Sequence, residues 1–254
     1  MSFGIVYNAD VRKNGGNSSA DLKINTEVTT MTKKANNTAN TNTKAVNVTE
    51  LVFILDSSGS MAPLRADTIG GFNTMLGKQR DTEGEAYVST IMFADNSNVV
   101  HDRVPLGKVA DLTERDYEPM GCTALYDAVG DAVNHISNIH KYSRKEDVPD
   151  KTLFVITTDG MENASKRYNA KKVKKLIESK QEAGWEFIFL GANIDAAAAA
   201  ADIGIAEERA VNYKPTKGGT AKLFRAVGAA VSMNRCEEAM CDSWRAELDE
   251  DNNS

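Results

Sequence analysis

Residues 51–61 read LVFILDSSGSM. Five apolar residues run without alternation into Asp56, and Ser57, Ser58, Gly59 and Ser60 follow at once. A short unbroken apolar run closed by turn residues is the pattern of a strand buried on both faces, as in a parallel sheet. Three further runs share it: YVSTIMF at 87–93, LFVI at 153–156 and FIFL at 187–190, with weaker ones at 98–104 and 209–213. Helical patterns lie between them, near 62–79, 124–138, 167–183, 195–202 and 218–235. The fourth is built on the alanine run 196–201, with Asp195 placed to cap it. Strands alternating with helices predict an α/β fold, a doubly wound, mostly parallel sheet with helices on both faces. The stretch 87–104 departs from that rule. Its two runs are joined by ADNSN, a hairpin signal that predicts one antiparallel edge strand.

The composition agrees with a folded body. Hydrophobic residues make up 41% and charged residues 26% of the 254, which excludes a wholly disordered or fibrous chain. No apolar run approaches the roughly 18 residues of a membrane-spanning helix. The stretch MSFGIVYNADVRKNGG lacks the basic and apolar segments of a secretory signal. Three cysteines, Cys122, Cys236 and Cys241, cannot build a disulfide framework, and no CxxC pair proposes zinc. The expectation is a cytoplasmic protein with reduced thiols.

Charge and composition divide the chain into three. Residues 1–47 hold six Lys/Arg against three Asp/Glu and are rich in Asn, Thr and Ser, with no hydrophobic period; they read as a flexible extension. Residues 48–235 form the folded domain. Residues 236–254 carry seven acids and only Arg245, an acidic tail whose helix is expected to continue from 218–235 to about Leu248. A basic head, a near-neutral body and an acidic tail do not make a nucleic-acid binder or a membrane-surface binder.

The chemistry sits at the ends of the strands. In an open α/β sheet, ligands bind outside the carboxyl ends of the strands. Asp56, Ser58 and Ser60 fall there at alternate positions on a tight loop that Gly59 allows to close. The strand at 153–156 runs through Thr157 and Thr158 to Asp159, a second carboxylate at the same edge. MGCTALYDA puts Thr123 on a Gly-led loop before the helix at about Ala124. Three separate segments thus deliver only oxygen donors, the set that suits Mg2+ or Mn2+ rather than zinc.

On these residues the sequence resembles a von Willebrand factor type A domain with a metal-ion-dependent adhesion site. The family pattern is DxSxS, a later Thr and a later Asp, matched by Asp56, Ser58, Ser60, Thr123 and Asp159 in order. The resemblance covers about 48–235, and DGMENAS and WEFIFLGANIDA are similar to its bacterial and phage branch. It implies a Rossmann-like fold in which Ser58, Ser60 and Thr123 ligate the ion directly, while Asp56 and Asp159 act mainly through water. It further implies an open position filled by an Asp or Glu of a partner protein, because neutral direct ligands leave the ion short of negative charge. Intracellular relatives work beside AAA+ ATPases or in phage and stress-response assemblies.

Other residues have plainer readings. Asp127 reads as a first-turn acid favoured by the helix dipole. Glu162 and Asn163 could line the face around the site, although loop residues are usually solvated. His101, His135 and His140 share no ligand spacing, and Cys236 and Cys241 do not share a helix face. The competing function is a Mg2+-dependent phosphohydrolase with Asp56 as nucleophile. The position two residues on, where haloacid-dehalogenase-type enzymes carry a second Asp, is Ser58. Neither serine has the GxSxG context of a hydrolase nucleophile.

Overall fold

The computed structural model describes residues 47–236 and 240–253. The extension expected over 1–47 falls almost wholly outside them. Six strands form one sheet: β1 (Val48–Asp56), β2 (Glu85–Phe93), β3 (Ser97–Pro105), β4 (Lys151–Thr158), β5 (Glu186–Gly191) and β6 (Ala210–Asn212). Their order is β3-β2-β1-β4-β5-β6, and every pairing is parallel except β2 with β3. The antiparallel edge strand is therefore where ADNSN places it. The described residues also form six α-helices: α1 (Arg65–Arg80), α2 (Leu125–Tyr142), α3 (Ala170–Gln181), α4 (Ala196–Asp202), α5 (Lys217–Arg235) and α6 (Ala246–Asn252). Asp195 caps α4 as expected, accepting from the Ala198 amide at 3.0 Å. None of the described helices is long and apolar enough to cross a membrane.

The unbroken apolar run of β1 has its reason in two cores. Leu51, Phe53 and Leu55 point to one face and pack with Phe72, Met75 and Leu76 of α1 and with Leu223, Phe224 and Val227 of α5. Val52 and Ile54 point to the other and pack with Val129, Val133 and Ile136 of α2 and with Val173 and Ile177 of α3. A central strand covered on both faces has no solvent side, so the alternation of a half-exposed strand is lost. Phe53 and Phe72 meet edge to face at 5.2 Å, seating α1 on the sheet.

The acidic tail differs from the expectation. The last long helix stops at Arg235 instead of running on to Leu248. Arg235 turns inward and donates to the backbone oxygens of Gln79, Thr82 and Gly84, closing the carboxyl end of α1. The chain then returns through a short 3-10 turn at Asp242–Arg245 into α6, burying Trp244 and Leu248 in the α1/α5 core. Trp244 and Leu248 are four residues apart, one apolar stripe on an otherwise acidic segment, and a straight extension of α5 would leave that stripe in water. Ion pairs of Lys222 with Asp251 and Arg225 with Glu247 fasten α6 to α5.

Leu248→Ala should therefore cost about 2–4 kcal/mol of stability, the range for a buried leucine truncation. Urea denaturation measures it, and a frayed tail would give no change.

Candidate functional site

β1 leads to β2 on one side, while β4 lies on its other side and leads to β5. The direction of winding reverses between β1 and β4, so a crevice opens at their carboxyl ends. Asp56 ends β1, and Asp159 follows β4 directly. Both carboxylates are buried, Asp56 to 1% exposure.

Hydroxyls and an amide surround them. Asp56 Oδ1 accepts from the Ser58 amide at 2.7 Å, and its Oδ2 accepts from Thr158 Oγ1 at 2.7 Å. Ser60 Oγ donates to Asp159 Oδ1 at 2.7 Å and lies 3.0 Å from Ser58 Oγ. Burial raises the Asp56 pKa, the hydrogen bonds from Thr158 and Ser58 oppose that rise, and the nearby Asp159 carboxylate adds to it. The arrangement holds two carboxylates in low dielectric, and the donors bonded to them among the described residues are neutral.

The loop 119–124 brings in Thr123. The Met120 amide donates to Ser57 O at 2.9 Å and the Gly59 amide to Gly121 O at 3.1 Å, pairing this loop with the serine loop. Gly121 has φ +72, and a Cβ there would lie 2.0 Å from Asp95 Oδ2, so only glycine fits. Asp95 in turn accepts from the Cys122 amide at 3.2 Å. Thr123 Oγ1 lies 3.8 Å from where a Cβ would stand on Gly160, the residue after Asp159. Of the five residues singled out in the sequence, Ser58 is bonded to Asp56 and Ser60 to Asp159, with the two serine hydroxyls in contact, and Thr123 stands on the adjoining loop. Among the described residues no group of three or more His, Cys, Asp or Glu forms a metal site, so this cluster is one of hydroxyls with two carboxylates. Such oxygen donors fit a hard divalent ion.

Several supports carry no sequence signal of their own. Thr158 holds Asp56, and Tyr117 donates its phenol to Asp56 O. Asn163 straps the two loops together: its Oδ1 accepts from the Thr123 amide at 2.9 Å, and its own amide donates to Thr123 O at 3.0 Å. Glu162 accepts from the amides of Tyr126, Ala164 and Ser165 and from Ser165 Oγ. Half-buried Glu162 and exposed Asn163 therefore tie the frame of the two loops while still meeting solvent. Asp127 likewise does more than meet a helix dipole. It accepts from the amides of Lys166, Arg167 and Tyr168 at 2.9–3.0 Å. The histidines stand apart: His101 is buried against Thr90, His135 pairs with Asp102 on the surface, and His140 meets the buried Glu50 at 3.3 Å.

No protein-family model matches this sequence, and no curated protein matches it. Solved structures do match. The vWF domain of the type V pili tip protein Mfa5 from Porphyromonas gingivalis aligns with 78% of this chain and 99% of its own, at 10% identity and a TM-score of 0.55. The pilus adhesin SpaC from Lactobacillus rhamnosus GG, in an open conformation, aligns with 74% of this chain and 30% of its own, at 12% identity and a TM-score of 0.54. Proximal thread matrix protein 1 from the mussel byssus, with a zinc-occupied MIDAS motif, aligns with 74% of this chain at 16% identity and a TM-score of 0.50. This chain spans 46% of that mussel protein, a little under half. The fold is that of a von Willebrand factor type A domain.

The loop anchor makes a pH prediction. Burial pushes the Asp127 carboxyl up, but the amides of Lys166, Tyr168 and Arg167 together with the Arg167 charge outweigh it and leave the pKa lowered from 3.8. A lowered folded-state pKa gives stability that is present above the unfolded value and lost as pH falls through the folded one. Asp127→Asn should be about 1–2 kcal/mol less stable than the wild type at pH 7. The difference should shrink below about pH 4, as read by denaturation across that range. A difference independent of pH would show that the Asp127 charge does not pin the loop.

Proposed function

We propose that this protein is a divalent-cation-dependent protein-interaction module whose ligand is an Asp or Glu side chain of a partner. The observation that carries the proposal is the burial of Asp56 and Asp159 among the hydroxyls of Ser58, Ser60 and Thr158, without an opposing side-chain charge bonded to either. Ser58, Ser60 and Thr123 would hold the ion, Mg2+ or Mn2+, through their hydroxyl oxygens. Asp56 has both carboxylate oxygens engaged by Ser58 and Thr158, which suits a role through water rather than direct ligation. A bound ion supplies positive charge at the rim of the crevice, where a carboxylate from outside can meet it. This chain's own residues orient that position and exclude alternatives: Thr158 fixes Asp56, Ser60 fixes Asp159, and Asn163 fixes Thr123.

Similar structures support the reading by analogy, since one is a pilus adhesin and another carries zinc at its MIDAS motif. The AAA+ ATPase or phage or stress-response assembly that the resemblance implies is carried in the proposal as the source of the carboxylate. A cytoplasmic location belongs to it too, supported by three exposed, unpaired cysteines.

The phosphohydrolase alternative is disfavoured by Asp56 itself. A nucleophilic carboxylate needs a free, approachable oxygen, and this one is buried with both oxygens hydrogen-bonded. Incubation with p-nitrophenyl phosphate and Mg2+ or Mn2+ should give no turnover above background. A pull-down from the source cell should recover a partner in Mn2+ and lose it in EDTA. Thr123→Ala, which removes a hydroxyl from a separate loop, should weaken that recovery about tenfold or more while the domain stays folded. Recovery that survives both EDTA and Thr123→Ala would overturn the proposal.

A further inference from the structure

Residues 166–182 hold seven Lys/Arg against two Asp/Glu, in a chain that as a whole has 30 against 36. Five of the seven are lysines of α3, whose buried residues are Val173 and Ile177. Two of these lysines are occupied within the molecule. The Lys172 ammonium donates to Arg167 O at 3.1 Å, and Lys180 lies over the Trp185 ring at 5.2 Å. Lys171, Lys174 and Lys175 are exposed and take part in no ion pair among the described residues. Lys171 stands three and four residues before the other two, so the three share one helix face, where like charges oppose the helix. Folding gains nothing from this arrangement.

A patch of opposite sign lies next to them. α4 packs against α3 and also against the short 3-10 turn Glu207–Arg209. The approach to α3 is close: a Cβ on Gly204, just past the end of α4, would lie 3.1 Å from Lys174 Cγ. Asp202 at the end of α4, with Glu207 and Glu208 of the turn, are exposed and likewise enter no ion pair among the described residues. The alanine run of α4, which touches both sides, exposes Ala198 and Ala201. The surface therefore passes from three unpaired cations, across methyl groups, to three unpaired anions.

We infer that two copies of this chain associate through this strip about a two-fold axis, the α3 lysines of each facing Asp202, Glu207 and Glu208 of the other. A strip that carries both signs side by side complements itself when rotated by half a turn, and two-fold dimers are the commonest soluble homo-oligomers. The rotation makes every favourable contact twice. A nucleic acid or other polyanion would meet the lysines but be repelled by the acids beside them. Alanine at the centre lets the two backbones approach closely, since nothing longer than a methyl group stands between them. Single exposed ion pairs contribute little, so the charges here set orientation and choice of partner more than strength. The dimer is accordingly weak and sensitive to salt. This inference stands independently of the ion site.

Sedimentation velocity of the full chain at two salt concentrations tests this. At about 50 mM NaCl a monomer–dimer equilibrium is expected, and at about 500 mM its dissociation constant should rise about tenfold or more. The variant Lys171→Glu, Lys174→Glu, Lys175→Glu and the variant Asp202→Lys, Glu207→Lys, Glu208→Lys should each sediment as a monomer, with a circular dichroism spectrum matching the wild type. Mixing the two variants in equal amounts should restore a dimer, since each then carries the sign that the other lacks. A wild type that is monomeric at low salt, a dimer that persists in either variant alone, or folded variants whose mixture stays monomeric would each overturn the inference. A monomeric wild type held on immobilised heparin through the three lysines would do so as well, and would assign the face to a foreign polyanion.

Discussion

Two carboxylates, Asp56 and Asp159, are buried within electrostatic reach of each other at the carboxyl edge of the sheet, bonded among the described residues by neutral groups. Charge in low dielectric is costly unless it is paired, and a like charge nearby raises the cost. The rest of the structure can be understood from how that cost is met. β1 and β4 are adjacent and parallel, so the residues that end them emerge at the same level, at the point where the winding of the sheet reverses. The Thr158 and Ser60 hydroxyls and the Ser58 amide each give one hydrogen bond to a carboxylate, and the first two bonds also set where those hydroxyls lie. What remains is a cluster of oxygens rich in negative charge, the chemistry on which the proposed cation site rests.

A site of this kind is only as good as the loops that hold it. Three loops meet here, and each is tied to its neighbours through backbone groups. Ser57 is bonded to Phe93 O, Met120 to Ser57 O, Gly59 to Gly121 O and Ala124 to Ala94 O. Side-chain carboxylates take over where the backbone cannot reach: Asp95 accepts from Cys122, Glu162 from Tyr126, and Asp127 from three consecutive amides at 166–168. The Tyr168 ring at the end of that stretch lies on α2 where Gly130 offers no side chain, a Cβ there falling 2.6 Å from the ring. Hydrogen bonds therefore tie the frame together, and Ser60 stands exposed on it.

Much of this was legible in the sequence, for identifiable reasons. β1, β2, β4 and β5 announce themselves because strands covered on both faces must be apolar throughout, and ADNSN marks the single turn tight enough for a hairpin. Asp56, Ser58 and Ser60 are readable because their spacing is local. Thr123 and Asp159 are readable because each stands at a strand or loop end with a recognised neighbour pattern. The supports were not. Asn163 and Glu162 act across about 40 residues of chain, on backbone amides that leave no mark in the sequence of their partners. Asp127 looked like a dipole acid because its position in the first turn is local information, whereas its three amide donors arrive from a distant loop. The return of the tail was hidden for a related reason: the acidic residues of 236–254 suggest a solvated helix, and two buried side chains, Trp244 and Leu248, outweigh them.

The central claim is that the buried carboxylates and the hydroxyls around them make a divalent-ion site. Calorimetric titration of the full chain with Mn2+, beside the same titration of Asp56→Ala, tests it most directly. The account predicts one saturable site in the wild type and an affinity reduced at least roughly tenfold to a hundredfold in the variant, as for loss of a residue that orients metal ligands. Equal binding by the two proteins, or no saturable binding by the wild type, would contradict it.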